Sequence, residues 1–187
     1  MRKIENLYEL TEQKSETDIK YFFISKGRED IIKAIQYSLV QELNGKNVYN
    51  LGFGDYDIEN DIIIDSANTN NGDAYKVLNT VLSTIPKFFE IYSDDILMVQ
   101  GSDGRPEFIV NFKLKCIKNC DEECKNFNRR INVYRKYVDK YYDQLILEYQ
   151  FLGGKKNEKN QTIMEEYVCR KDYDAVFLLK RKLNFTE

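Results

Sequence analysis

Three of the chain's four cysteines, Cys116, Cys120 and Cys124, fall at intervals of four in CIKNCDEECKNFNRRINVY, and Cys169 is the fourth. Four thiolates make a complete tetrahedral ligand set for zinc. The spacing is C-x3-C-x3-C, however, rather than the paired C-x2-C knuckles of common structural sites, and Cys169 lies far along the chain. The simpler expectation makes Cys116 a small hydrophobe on a strand face, with Cys120 and Cys124 as free thiols at a turn and a helix start. A position near a helix N-terminus lowers a thiol pKa, but Asp121, Glu122 and Glu123 oppose that at Cys124. No cofactor is therefore expected, with structural zinc on Cys116, Cys120, Cys124 and Cys169 as the alternative.

A second chemistry sits just downstream. Arg129, Arg130, Arg135, Lys136 and Lys140 could line a phosphate- or anion-binding face on residues 125–140. Most such charges are solvated or pair with acidic loops, and GDYDIEND is one such loop. The candidate ligand- or anion-binding set is Asp73, Arg129, Arg130 and Tyr134. An enzyme would draw its carboxylate, guanidinium and phenol from Asp73, Arg130 and Tyr134. Histidine is absent, which removes Ser-His-Asp and Cys-His catalysis and the imidazole metal ligand.

Other motifs fail on their own terms. Asp55, Asp57, Glu59 and Asp61 superficially match a calcium loop, but Asn60 stands where glycine is needed and Ser66 where glutamate is needed. A hairpin turn is expected there instead. GFGD is not a dinucleotide fingerprint, and GSDGRP lacks the lysine of a phosphate loop.

The elements that must position these residues follow from periodicity. DIKYFFISKG, REDIIKAIQYSLV, VYNLGFGDYD and DIIID read as strands, with Lys33 interrupting an otherwise apolar face. Gly52 and Gly54 on one face predict a bulge or a close backbone approach. Ala74, Val77, Leu78, Val81, Ile85, Phe88, Phe89 and Tyr92 trace one helical stripe, kinked at Pro86 and capped by Asn71 or Asp73. ILMVQ and EFIVNFKLKC read as strands. A second amphipathic helix has Phe127, Ile131, Tyr134, Val138, Tyr141 and Leu145 as its seam, with the basic residues off it. LILEYQFLGG gives a strand closed by Gly153-Gly154. TIMEEYVC and YDAVFLLKRK give a closing hairpin around Lys171-Asp172. The predicted fold is α+β, a mostly antiparallel sheet packed against two main amphipathic helices.

YFFISKGREDIIKAIQYSLV, VYNLGFGDYD, NNGDAYKVLNTVLSTIPKFF, VQGS, RRINVYRKYV and DYDAVFLLKRK, taken in order, resemble a family of small bacterial proteins defined only as a domain of unknown function. The resemblance covers roughly residues 7 to 182. Family members join the Gly-Ser after the central strand almost directly to an Arg-rich helix with a tyrosine. The matching positions here are Gly101-Ser102 and Arg129, Arg130 and Tyr134. Residues 103–126 then form an insertion within a single domain spanning 1–187. The resemblance implies a shared fold and no particular reaction.

The chain has 187 residues, 42% hydrophobic and 32% charged, with a formal net charge of -3. These values describe a globular chain with no global attraction to polyanions. Its N-terminus lacks an apolar signal core, and no stretch approaches the roughly 18 apolar residues that span a bilayer. The expected protein is a non-enzymatic cytoplasmic interaction module with a protein partner. The alternative is a nucleic-acid-associated protein using the basic helix, and an enzyme ranks third.

Overall fold

The computed structural model describes residues 6–15, 18–64, 71–101, 128–159 and 161–182. The fold is α+β with a mixed, mostly antiparallel sheet. The chain forms two compact units, Met1–Leu97 and Met98–Glu187. The insertion expected at 103–126 lies outside the described residues.

In the first unit five strands, β1 (Thr11–Lys14), β2 (Asp18–Ser25), β3 (Ile31–Leu43), β4 (Lys46–Asp57) and β5 (Ile62–Ile64), pair antiparallel in chain order. Side chains alternate between the two faces of a strand, so register decides which residues meet. Tyr21 lies opposite Ile35, and Ile35 opposite Phe53; Ile19, Tyr37 and Leu51 form the next such row. This face carries much of the core: Ile19, Tyr21, Ile35, Tyr37 and Leu51 are all buried. The β3–β4 hairpin turns through Asn44 and Gly45, both left-handed at φ 52° and 75°. Asn-Gly tolerates that conformation better than other pairs.

The close approach predicted for the glycines of β4 is found at Gly54, where an added Cβ would lie 2.5 Å from the Ile64 carbonyl oxygen of β5. Gly52 meets only an ordinary contact. The acidic stretch forms the predicted turn. Asp57 accepts the backbone N–H groups of Glu59 (2.9 Å) and Asn60 (3.2 Å), an Asx turn closing β4 onto β5.

The single kinked helix is replaced by two helices, α1 (Ala74–Ser83) and α2 (Ile85–Ile91). Pro86 lies in the first turn of α2, where its missing N–H costs nothing. Thr84 separates the two. Its hydroxyl donates to the Val81 carbonyl at 2.6 Å and lies 2.6 Å from the Tyr37 hydroxyl. Phe88 of α2 stacks on Tyr37 and meets Tyr49 edge-on, so the helix covers the apolar face of the sheet.

Strand β6 (Ile96–Gln100), buried from Ile96 to Val99, contains the boundary between the units. The second unit continues with α3 (Arg129–Leu145), β7 (Tyr149–Lys156), β8 (Thr162–Glu166) and β9 (Ala175–Lys180). Here two expectations are corrected. β8 and β9 do not pair as a closing hairpin; each pairs antiparallel with β7, on opposite sides of it. Gly153 and Gly154 do not end β7 either, which runs on to Lys156. The physical reason is Tyr173, whose ring occupies the space where a Gly153 Cβ would sit. The β8–β9 connection packs that ring on the strand, and the Val168 N–H donates to its hydroxyl at 3.1 Å.

The α3 seam also differs in part. Ile131 and Val138 are buried as predicted, while Tyr134, Tyr141 and Leu145 are only partly covered. Phe127 lies outside the described residues. Arg135, expected off the seam, is buried between them. Tyr142, rather than Tyr141, is the ring that meets Phe151 and Tyr167. A strict count of apolar residues misplaces this face because one cation belongs to it.

Ile131 is 2% exposed. Ile131→Asp is expected to lower stability in urea melts by about 3–5 kcal/mol, the cost of an uncompensated charge in a core. A change below about 0.5 kcal/mol would mean that α3 is not a core element.

Candidate functional site

One cluster of polar side chains collects residues from five separate stretches of the first unit. Tyr8 precedes β1, Ser25 ends β2, Lys33 lies on β3, Asp55 on β4, and Asn71 and Asp73 lead into α1. The Tyr8 hydroxyl donates to Asp73 Oδ2 at 2.7 Å, and the Ser25 hydroxyl donates to the same oxygen at 2.6 Å. The Asn71 amide donates to Ser25 Oγ (3.1 Å) and to the Glu29 carbonyl (2.9 Å), while its oxygen accepts the Arg28 N–H (3.1 Å). The Tyr8 N–H donates to Thr80 Oγ1 at 2.9 Å.

An aromatic stack lies beside these bonds. Tyr8 stacks on Phe23 with centroids 5.4 Å apart, and Phe23 on Phe53 at 6.3 Å. Lys76 Nζ stands 3.9 Å from the Tyr8 ring centroid, within cation–π range. Lys33, 5% exposed, forms an ion pair with Asp55, directly opposite it in the β3–β4 register.

The protonation states follow from these contacts. Burial pushes the Asp73 carboxyl upward, but the hydroxyls of Ser25 and Tyr8, its own backbone N–H and the charge of Lys33 outweigh it. The net result is a carboxyl held below its ordinary value. Burial raises the Tyr8 phenol, and the bond to Asp73 raises it further. The cluster therefore pairs an ionised carboxylate with two neutral hydroxyl donors. Asp73 so held is a weak base, and Ser25 is fully buried, which keeps its oxygen from acting as a nucleophile. The arrangement fastens chain segments together.

Asp73 was predicted as a site residue, and it is the centre of this cluster. Neither it nor Asn71 caps α1: Asp73 occupies the N-cap position without a side-chain cap bond, because its carboxylate is held by Tyr8 and Ser25. Tyr8, Ser25, Lys33, Asp55 and Asn71 are not among the site residues expected from the sequence, although Lys33, Asp55 and Asn71 stand out there for other reasons. The one available signal was Lys33, a cation on an apolar strand face with an aspartate across the sheet.

The remaining predicted residues are on α3, in the second unit. Arg130 and Tyr134 are both engaged with other groups. The side chain of Arg129 lies outside the described residues. Arg135 is 8% exposed; its Nη1 donates to Asn132 Oδ1 at 2.9 Å and its Nη2 pairs with Asp172 at 2.7 Å. Asp139 accepts the Tyr167 hydroxyl (2.9 Å) and the Arg170 N–H (3.1 Å). Burial, then Asp139 and Asp143, push the Cys169 thiol up, so it is protonated at neutral pH. Cys116, Cys120 and Cys124 lie outside the described residues. Among the described residues no group of three or more His, Cys, Asp or Glu is placed to hold a metal ion. Among them also, no helix is long and apolar enough to cross a membrane.

A model of a family of unknown function (DUF6934) matches residues 5–107, more than half of the chain. The chain belongs to that family. Of the resemblance over residues 7–182, the match covers residues 7–107, the range in which the Asp73 cluster and β6 lie. No curated protein and no solved structure matches the chain.

Two outcomes are expected. An aspartate with a depressed folded pKa stabilises the protein fully above its unfolded pKa and loses that contribution as pH falls through the folded value. Urea melts at pH 7 should find Asp73→Asn less stable by about 1.5–3 kcal/mol, the scale of hydrogen bonds to a charged group. The gap should close as pH falls below about 4, the ordinary aspartate value. A gap unchanged at pH 3 would mean that the charge of Asp73 is not what binds the two hydroxyls. Separately, elemental analysis of protein purified without chelator should find no stoichiometric zinc. About one zinc per chain, lost in Cys120→Ser, would instead establish the all-thiolate site.

Proposed function

We propose that the chain is a non-enzymatic interaction module of the bacterial cytoplasm whose partner is another protein. The observation that carries this reading is the closure of the Asp73 cluster. In the first unit it brings together a carboxylate, two hydroxyls, an amide and a buried ion pair, the groups that catalysis could use. Each is committed to holding another part of the chain. A site of this kind supports a binding surface and leaves no activated base or nucleophile within the cluster.

The nucleic-acid reading draws on the basic residues of α3, and the geometry weakens it. Arg135 is withdrawn into the core and neutralised by Asp172. Asp139 and Asp143 interrupt the cations along the helix. With the net charge of -3, this leaves little continuous positive surface on α3.

The test compares the two partner classes on the full chain. A protein recovered with it should, after both are purified, bind in calorimetry with an affinity little changed between low and moderate salt. Arg129→Gln/Arg130→Gln should lower the melting temperature and leave weak DNA or RNA binding unaltered. Unchanged melting with a log–log salt slope reduced by about one unit per lost phosphate contact would establish the nucleic-acid reading instead.

A further inference from the structure

The buried guanidinium of Arg135 is only half used. Nη1 donates to Asn132 and Nη2 pairs with Asp172, but Nε is buried with no hydrogen-bond partner among the described residues. Buried polar groups in folded proteins are nearly always satisfied, so an orphaned N–H of a cation calls for a physical explanation. Nε–H and the adjacent Nη2–H form one edge of the guanidinium, the two-pronged edge that matches the two oxygens of a carboxylate. Asp172 touches this edge with one oxygen, at Nη2 alone.

Asp172 is poorly suited to hold the place. Its side chain is 86% exposed while that of Arg135 is 10% exposed, so a buried cation is met by a carboxylate that stays in water. It sits in the β8–β9 connection, two residues after Arg170, whose backbone is left-handed at φ 67°. The other nearby carboxylate, Asp139, is occupied by the Tyr167 hydroxyl and the Arg170 N–H. Among the described residues, no group is therefore aimed at Nε.

We propose that Arg135 is a receptor for an external carboxylate, which engages Nε and Nη2 together and displaces Asp172 from the fork. Asp172 acts as a tethered surrogate that keeps the cation neutralised until a better-shaped acceptor arrives. The inference goes beyond the interaction-module reading, because a small carboxylate probes the fork whether or not the natural ligand belongs to a protein.

The experiment follows the Arg135 Nε–Hε resonance of the full chain by NMR during titration with sodium acetate, with sodium chloride as control. In the wild type acetate should produce a weak, saturable shift. In Asp172→Asn the surrogate is removed, and acetate should bind about ten-fold more tightly, because the fork is no longer occupied internally. Arg135→Lys keeps the charge without the fork and should abolish the response. Should that variant fail to fold, the comparison of wild type with Asp172→Asn carries the test. A shift that is non-saturable, identical with chloride, or unchanged by Asp172→Asn would mean a structural ion pair only and would overturn the proposal. Inorganic phosphate binding more tightly than acetate in Asp172→Asn would overturn the choice of carboxylate.

Discussion

In the first unit the segment before β1, the end of β2 and the start of α1 meet at a single carboxylate oxygen. Asp73 Oδ2 accepts hydroxyls from Tyr8 and Ser25, residues 65 and 48 positions away along the chain. Bonds of such sequence separation order long stretches that local structure leaves free, and that ordering is what they must overcome. An ionised acceptor makes both bonds stronger than neutral ones. The neighbouring contacts gather at the same point: Tyr8, its hydroxyl on Asp73, stacks on Phe23, and Lys76, in the first turn of α1, lies over the Tyr8 ring. The family match covers every one of these residues.

Tyrosine takes the part that tryptophan and histidine take elsewhere. The chain has 14 tyrosines and neither of the other two. Burial raises the phenols of Tyr21 and Tyr49 to about 12, helped by Glu12 at the first and by Tyr92 at the second, so both stay neutral across any ordinary pH. A buried tyrosine can contribute apolar area through its ring and a hydrogen bond through its tip. Tyr37 does both, stacking on Phe88 while its hydroxyl meets Thr84 at the break between α1 and α2. That contact belongs to the same junction that turns a single kinked stripe into two helices.

The strands of the first unit were legible because alternation is a local signal and each strand obeys it. What sequence could not show was pairing at a distance. TIMEE and AVFLLK read as neighbours because they adjoin in the chain, yet both pair with β7. β1 escaped altogether, since TEQK is exposed along its whole length and shows no alternation. The candidate site was legible at Asp73 alone. Its partners are a serine, a tyrosine and an asparagine with no spacing pattern, and only the fold makes them neighbours. Arg135 was misplaced for the opposite reason: its charge argued for the surface, while its position on α3, between Ile131 and Val138, put it in the core.

Lys33 and Arg135 are both buried cations, and the contrast between them shows what a buried charge is suited to do. The Lys33–Asp55 pair stabilises little in net terms, since desolvation offsets most of the attraction, but breaking it would strand a charge. Its position gives it a purpose. The β3–β4 ladder has a register shift between Leu39 and Gln41, so the pairing on either side of that bulge is fixed separately. On the turn side, Asn44–Gly45 fixes it through hairpin geometry. On the far side, Lys33 opposite Asp55 fixes it, because a slip of one residue would turn the lysine away from the carboxylate paired with it and reverse every apolar side chain beyond it. That far side is the end of the sheet that carries Phe23, Ser25 and Phe53, so the ion pair that sets the register also holds the floor on which the Asp73 cluster is built.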